Sequence, residues 1–304
     1  MAMHKITVES LIPTNNIELL ATQVVEGFIT GLHKSPFHGF SVEFSEHRIY
    51  NAGESTKHID WKLYGRTDKL FVKRYEEETN LRCNIVIDTS ASMYYPVDGI
   101  NKIRFSAIAA ASLMQLMRKQ RDANALILFD DKISFQSDCK VSQTHLRLLY
   151  AKLEEVLNAK PNAAQTNIAK CLHELAERIH KRSLVVIFSD MFSEVEEEES
   201  IFEALQHLRY NKHEVILFNV SDHQTETEFN FSNRPYLFID SESGEQLKLY
   251  PNQVKEHYIK ALADYKENIR LKCAQFKIEY VNVSVYDDYA TILQSFLVKR
   301  NRLG

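Results

Sequence analysis

Three apolar runs constrain this chain more than any other feature: Cys83–Asp88, Leu184–Asp190 and Glu214–Val220. Each is nearly continuous rather than alternating, and between them lie segments whose apolar residues recur every three or four positions. A strand that is apolar on both sides must be covered on both faces, so the pattern predicts a mostly parallel α/β sheet with helices on either side. Helical spacing marks 100–119, 142–158, 167–180, 198–211, 252–275 and 287–301, with a closing strand at 277–283. Ala125–Phe129 and Ile133–Phe135 read as a hairpin turned at Asp130 and Asp131. Residues 222–250 break the rhythm as a polar, turn-rich insert with a pair of short strands.

Upstream of this domain the pattern differs. Ile17, Leu20, Ala21, Val24, Val25, Phe28 and Leu32 give one apolar face to a helix over 16–33. A turn cluster follows, then a strand over 40–50 and an extended segment at 70–75. The expected division is an accessory segment over 1–80 and an α/β domain over 81–304.

Composition narrows the function classes. Lys and Arg total 37 against 41 Asp and Glu, a net charge of −4, which gives no support to a nucleic-acid-binding face. No run approaches the ~20 apolar residues of a membrane span, and the first residues lack the apolar core of a signal peptide. Cys83, Cys139, Cys171 and Cys273 are widely spaced, and Cys83 and Cys171 sit in apolar patterns. These features lead us to expect a reduced, cytoplasmic protein.

The first apolar run ends in Asp88-Thr89-Ser90-Ala91-Ser92. A carboxylate and two hydroxyls thus emerge where a buried strand stops, and hard oxygen donors of this kind suit magnesium or manganese. Thr166 precedes the 167–180 helix and Asp190 ends the second apolar run. Taken singly, Thr166 suits a helix N-cap and the serines suit a turn. Taken together, Asp88, Ser90, Ser92, Thr166 and Asp190 form a candidate ligand set if the two strands are neighbours. No histidine or lysine sits in these motifs to act as a base. Asp222, at the end of the third run, suits a turn. The run Glu194-Val195-Glu196-Glu197-Glu198-Glu199 suits the first turn of a helix, where the dipole favours negative charge. His38, His47 and His58 do not have zinc-ligand spacing.

The order Asp-x-Ser-x-Ser, Thr, Asp resembles the metal-ion-dependent adhesion site of von Willebrand factor A domains. By that resemblance Asp88, Ser90, Ser92, Thr166 and Asp190 take the metal roles, for Mg²⁺ or Mn²⁺. The flanking residues narrow the match. Arg48-Ile49-Tyr50-Asn51-Ala52-Gly53-Glu54, His58-Ile59-Asp60-Trp61-Lys62, Arg66-Thr67 and Asp240-Ser241-Glu242-Ser243-Gly244-Glu245 resemble the signature of the domain-of-unknown-function 58 family over roughly residues 38–300. Glu54 and Gly65 depart from its usual Asp and Ala. Arg48, Tyr50, Asp60, Trp61 and Arg66 are then signature residues, as a structural clamp around Trp61 or as a docking face. The resemblance implies a von Willebrand factor A-like fold and a MoxR-type AAA+ ATPase as partner.

The expected function is a non-enzymatic, metal-dependent protein-interaction module, an adaptor that grips an acidic side chain of its partner. The alternative is a Mg-dependent phosphatase-like hydrolase with Asp88 as nucleophile. Such enzymes commonly carry a second aspartate where Ser90 stands, and they need a cation to neutralise the transferred phosphate.

Overall fold

The computed structural model describes residues 16–33, 47–49, 61–73, 81–97, 99–160, 167–192, 198–241 and 244–301. Two compact units are present, one spanning 29–80 and the other combining the chain up to Phe28 with Leu81–Gly304.

In the smaller unit, β1 (His47–Ile49) pairs antiparallel with β2 (Phe71–Lys73), and α2 (Trp61–Thr67) lies between them in sequence. Arg48 sits opposite Val72 in the ladder. Trp61 opens α2, and Arg66 lies exposed in its last turn. Tyr50 and Asp60 lie outside the described residues.

The larger unit is built on a six-stranded sheet. Its strands are β3 (Arg82–Asp88), β4 (Ala123–Phe129), β5 (Ile133–Gln136), β6 (Leu184–Ser189), β7 (Glu214–Ser221) and β10 (Glu279–Ser284), in the order β10-β7-β6-β3-β4-β5. All neighbours are parallel except β5, which folds back antiparallel on β4. The intervening turn is closed by Asp130 N–H donating to the Lys132 carbonyl at 3.1 Å. This is the expected mostly parallel α/β architecture, and its strands lie within a few residues of the apolar runs that announced them.

Helices cover both faces. On one, Val86, Ile127, Val185, Ile187, Val215 and Leu217 pack against α5 (Ile168–Arg178), α6 (Glu198–Tyr210) and Ile269 and Cys273 of α7 (Pro251–Gln275). On the other lies α3 (Lys102–Lys119), whose small Ala107, Ala109, Ala110 and Ala111 are fully buried. Phe105 of α3 stacks on Tyr289 of α8 (Tyr289–Asn301), with ring centroids 4.9 Å apart. Gln115 of α3 donates to Thr22 of α1 (Ile17–His33) at 3.3 Å, and Tyr150 of α4 (Gln143–Asn158) donates to Gln115 at 3.3 Å. Burying a large apolar side chain contributes about 1.5–3 kcal/mol, whereas an exposed ion pair contributes about 0–1 kcal/mol. The two apolar layers therefore hold the fold.

The edge of the sheet where its parallel strands begin is latched by charge. Arg300 of α8 forks onto Asp122, with contacts of 2.6 and 3.2 Å, and Asp122 also accepts from Leu81 N–H at 3.2 Å. Lys299 reaches Glu214 at 2.9 Å.

The insert takes its expected form. A π-helical turn (His223–Thr227) leads to β8 (Tyr236–Ile239) and β9 (Gln246–Leu249), paired antiparallel. Phe229, 7% exposed, anchors it by ring contacts with Phe231, Phe238 and Tyr258 of α7.

Candidate functional site at the β3–β6 crevice

The chain runs from β3 outward to β4 and β5, then returns to the other side of β3 to build β6, β7 and β10. Chain direction across the sheet therefore switches between β3 and β6. In open α/β sheets the crevice beyond the strand ends at such a switch point is the usual ligand position. Asp88 ends β3 and Asp190 follows β6 there. The strand pairing places Ile87 opposite Phe188.

Asp88 is fully buried, and both of its oxygens are engaged. Ser90 N–H donates to Oδ1 at 2.9 Å and the Ser189 hydroxyl donates to Oδ2 at 2.7 Å. Burial, reinforced by the negative charge of Asp190, pushes its carboxyl up to about 7 despite those donors. Ser189 also accepts from Met191 N–H at 2.9 Å. Met191 holds a left-handed φ of 53° and is pinned there by Tyr265, whose hydroxyl donates to its carbonyl. A non-glycine residue in that region carries strain, here in the loop that presents Asp190.

Ser90 and Ser92 project beside Asp88 at the start of a short 3-10 helix (Ala91–Tyr94), with their hydroxyl oxygens 3.0 Å apart. Adjacent ligands of octahedral magnesium, bonded at 2.0–2.1 Å, are separated by about 3.0 Å. The two hydroxyls are hydrogen-bonded to each other, and their separation also suits two such ligands; Asp88 is held against Ser90, and Asp190 lies close enough to Asp88 for their charges to interact. Among the described residues no three His, Cys, Asp or Glu side chains gather into a metal cage, so an ion here depends on the hydroxyls. Thr166 lies outside the described residues. Asn167 caps α5, accepting from Lys170 N–H at 2.9 Å, in the place where Thr166 was the expected cap.

The motifs contain no lysine, but the fold brings one to them. Asn101 caps α3 by accepting from Arg104 N–H at 2.9 Å, which makes Lys102 the first helical residue. The Lys102 ammonium lies 2.8 Å from Asp190 Oδ2 and 2.6 Å from Glu226 Oε1, and its side chain is 1% exposed. A cation at a helix N-terminus opposes the helix dipole. Burial also opposes its charge, yet Asp190 and Glu226 prevail and hold its pKa above the usual lysine range. Burial raises the pKa of Glu226, and Lys102 only partly offsets this. Glu226 belongs to the insert, where it also accepts from Asp222 N–H at 2.7 Å. Asp222 has the expected turn role, accepting from Gln224 N–H at 2.8 Å. Tyr95 reaches the same turn, donating to Thr225 at 2.7 Å.

The family model for proteins of unknown function DUF58 matches residues 46–268. The chain belongs to the DUF58 family. The matched span holds the smaller unit's strand pair, the crevice and the insert. An uncharacterized protein of Mycobacterium tuberculosis (strain ATCC 25618 / H37Rv) is 21% identical over 179 residues, which is 59% of this chain and 56% of that protein. The chain thus spans about half the length of the curated relatives it matches. Among solved structures, the conserved hypothetical protein BatB from Bacteroides thetaiotaomicron aligns with a TM-score of 0.49 at 13% identity, over 73% of this chain and 98% of that one. The SpRpn10 VWA domain aligns with a TM-score of 0.35 at 15% identity, over 71% and 95% of the two chains.

Three members of the crevice were not found from the sequence: Ser189, Lys102 and Glu226. Ser189 adjoins Asp190 at the end of an apolar run, a readable position for a strand-end hydroxyl. Lys102 carried a weaker signal, a lysine opening a helix rich in buried apolar residues.

Proposed function

We propose that this DUF58 chain is a metal-dependent protein-interaction module without chemistry of its own. The observation that carries the reading is the Ser90–Ser92 hydroxyl pair, 3.0 Å apart beside fully buried Asp88. In this reading Ser90 and Ser92 hold a Mg²⁺ or Mn²⁺ ion, with Asp88 and Asp190 supplying compensating charge and Thr166 completing the set. When bound, the ion supplies an open coordination position for a carboxylate. The chain's own residues set the geometry: Ser189 and Ser90 N–H fix the Asp88 carboxylate, and the Met191 turn fixes Asp190.

The partner is a protein offering an acidic side chain, and the family resemblance points to a MoxR-type AAA+ ATPase. The adaptor reading is preferred to the hydrolase reading because the cation near Asp190 is already claimed. Lys102 is buried against two carboxylates and has no charge left to neutralise an incoming phosphate.

The test is capture of a purified MoxR-type ATPase on immobilised full-length chain, with Mg²⁺ and with EDTA. Capture should need Mg²⁺ and be lost in Ser90→Ala. Equal capture in EDTA would remove the ion from the mechanism.

A further inference from the structure

In the crevice two carboxylates, Asp190 and Glu226, share the ammonium of Lys102, and fully buried Asp88 lies close enough to Asp190 for their charges to interact. Lys102 is not placed to leave. Its side chain is 1% exposed, and its ammonium lies 5.9 Å from the centre of the Tyr95 ring and 5.6 Å from that of Phe192. On Asp190, Lys102 takes Oδ2 while Phe192 N–H donates to Oδ1 at 3.3 Å.

We infer that Lys102 is a built-in competitor for the divalent ion: its ammonium holds Asp190 and lowers the affinity of the Ser90–Ser92 site, with Glu226 sharing the ammonium and easing that competition. The inference rests on the metal-dependent reading above and adds a residue that sets how tightly the ion is held. Two positive charges drawing on one buried carboxylate repel each other, and the effect is large where water is excluded. Glu226 matters because it is the second partner of Lys102. Without it the ammonium rests on Asp190 alone, and one compensating negative charge is gone. A lysine acting only as a structural tie predicts something different: its loss lowers stability and leaves ion affinity unchanged or weakened.

The test is a Mn²⁺ titration of the full chain, with free Mn²⁺ followed by electron paramagnetic resonance and folding checked by circular dichroism. Lys102→Gln should bind Mn²⁺ about tenfold or more tighter than wild type, as removal of a nearby buried positive charge requires. Glu226→Gln should bind several-fold more weakly. Wild-type binding with unchanged or weaker binding in folded Lys102→Gln overturns the inference and leaves the metal reading standing. If Lys102→Gln does not fold, Glu226→Gln decides: weaker binding supports the inference, and unchanged or tighter binding overturns it. If neither the wild type nor folded Lys102→Gln takes up Mn²⁺, the metal reading itself fails, and this inference with it.

Discussion

The Lys102 ammonium sits 2.8 Å from Asp190 Oδ2, with side-chain exposures of 1% and 2%. The two residues are 88 positions apart in sequence and meet because α3 starts, and β6 stops, at the same edge of the sheet. An ion pair this dry is costly to break from one side, since the partner is left charged and buried. Much of the crevice's behaviour follows from that contact.

Asp88 gives a pH dependence with a definite sign. Its folded pKa, about 7, lies above the ordinary carboxyl value of 3.8, so the folded state holds a proton that the unfolded state has lost. The resulting stabilisation is complete below the unfolded value and disappears as pH rises through about 7. Between pH 6.5 and 8 in EDTA, wild type should lose roughly 1 kcal/mol relative to Asp88→Asn, and Mg²⁺ should shrink the difference. Urea unfolding of both proteins at the two pH values measures it. No pH-dependent difference between them in EDTA would refute the assignment.

Catalysis is tested separately. With Lys102 committed to Asp190 and Glu226, the chain should show no Mg²⁺-dependent turnover of p-nitrophenyl phosphate above a protein-free control. Turnover that disappears in Asp88→Asn would reinstate the hydrolase.

At the opposite edge, Arg300→Ala removes the two hydrogen bonds that Arg300 gives Asp122, which is 2% exposed and keeps its bond from Leu81 N–H. Arg300 is partly exposed, so water can replace some of what is lost. We expect a loss of roughly 1–3 kcal/mol in urea unfolding, with Mn²⁺ affinity unchanged because the substitution is far from the crevice. A change in affinity without a loss of stability would contradict the separation of the two edges.

Phe229→Ala should loosen the insert rather than the domain. Its ring joins Phe231, Phe238 and Tyr258, and it is not part of the cluster between the sheet and α5 and α6. Amide exchange in β8 and β9 should quicken while exchange in β3 and β6 stays slow. Uniform acceleration throughout the sheet would show that the insert is part of the global folding unit.

The sheet was legible because its signal is local. A strand such as Leu184–Ser189, buried at every residue, can hardly be written in any other apolar pattern. Asp88, Ser90 and Asp190 were legible for a related reason: each lies at or next to the end of such a strand, so finding the strands located the residues. Lys102 and Glu226 were not, because their meeting depends on two longer-range events. One is the return of α3 to the crevice, and the other is the folding of the insert turn over the end of β7; the two residues are 124 positions apart. The closing strand begins at Glu279 rather than at 277 because Lys277 turns the chain with a φ of 58°. Cys83 and Cys171 lie in the core, as their apolar patterns led us to expect. Cys83, Cys171 and Cys273 are buried and unpaired, and burial pushes the thiols of Cys171 and Cys273 up to about 12.

The Arg300–Asp122 and Lys299–Glu214 latches give the molecule two unlike rims. One rim has its opposite charges joined and has nothing to gain from a visitor. The other buries Asp88 and Asp190 close enough to repel, with Lys102 on one and two hydrogen-bond donors on the other. On the proposed reading, a cation that settles there strengthens the protein in the same act by which it is captured, so its occupancy should be visible as rigidity before any partner is known.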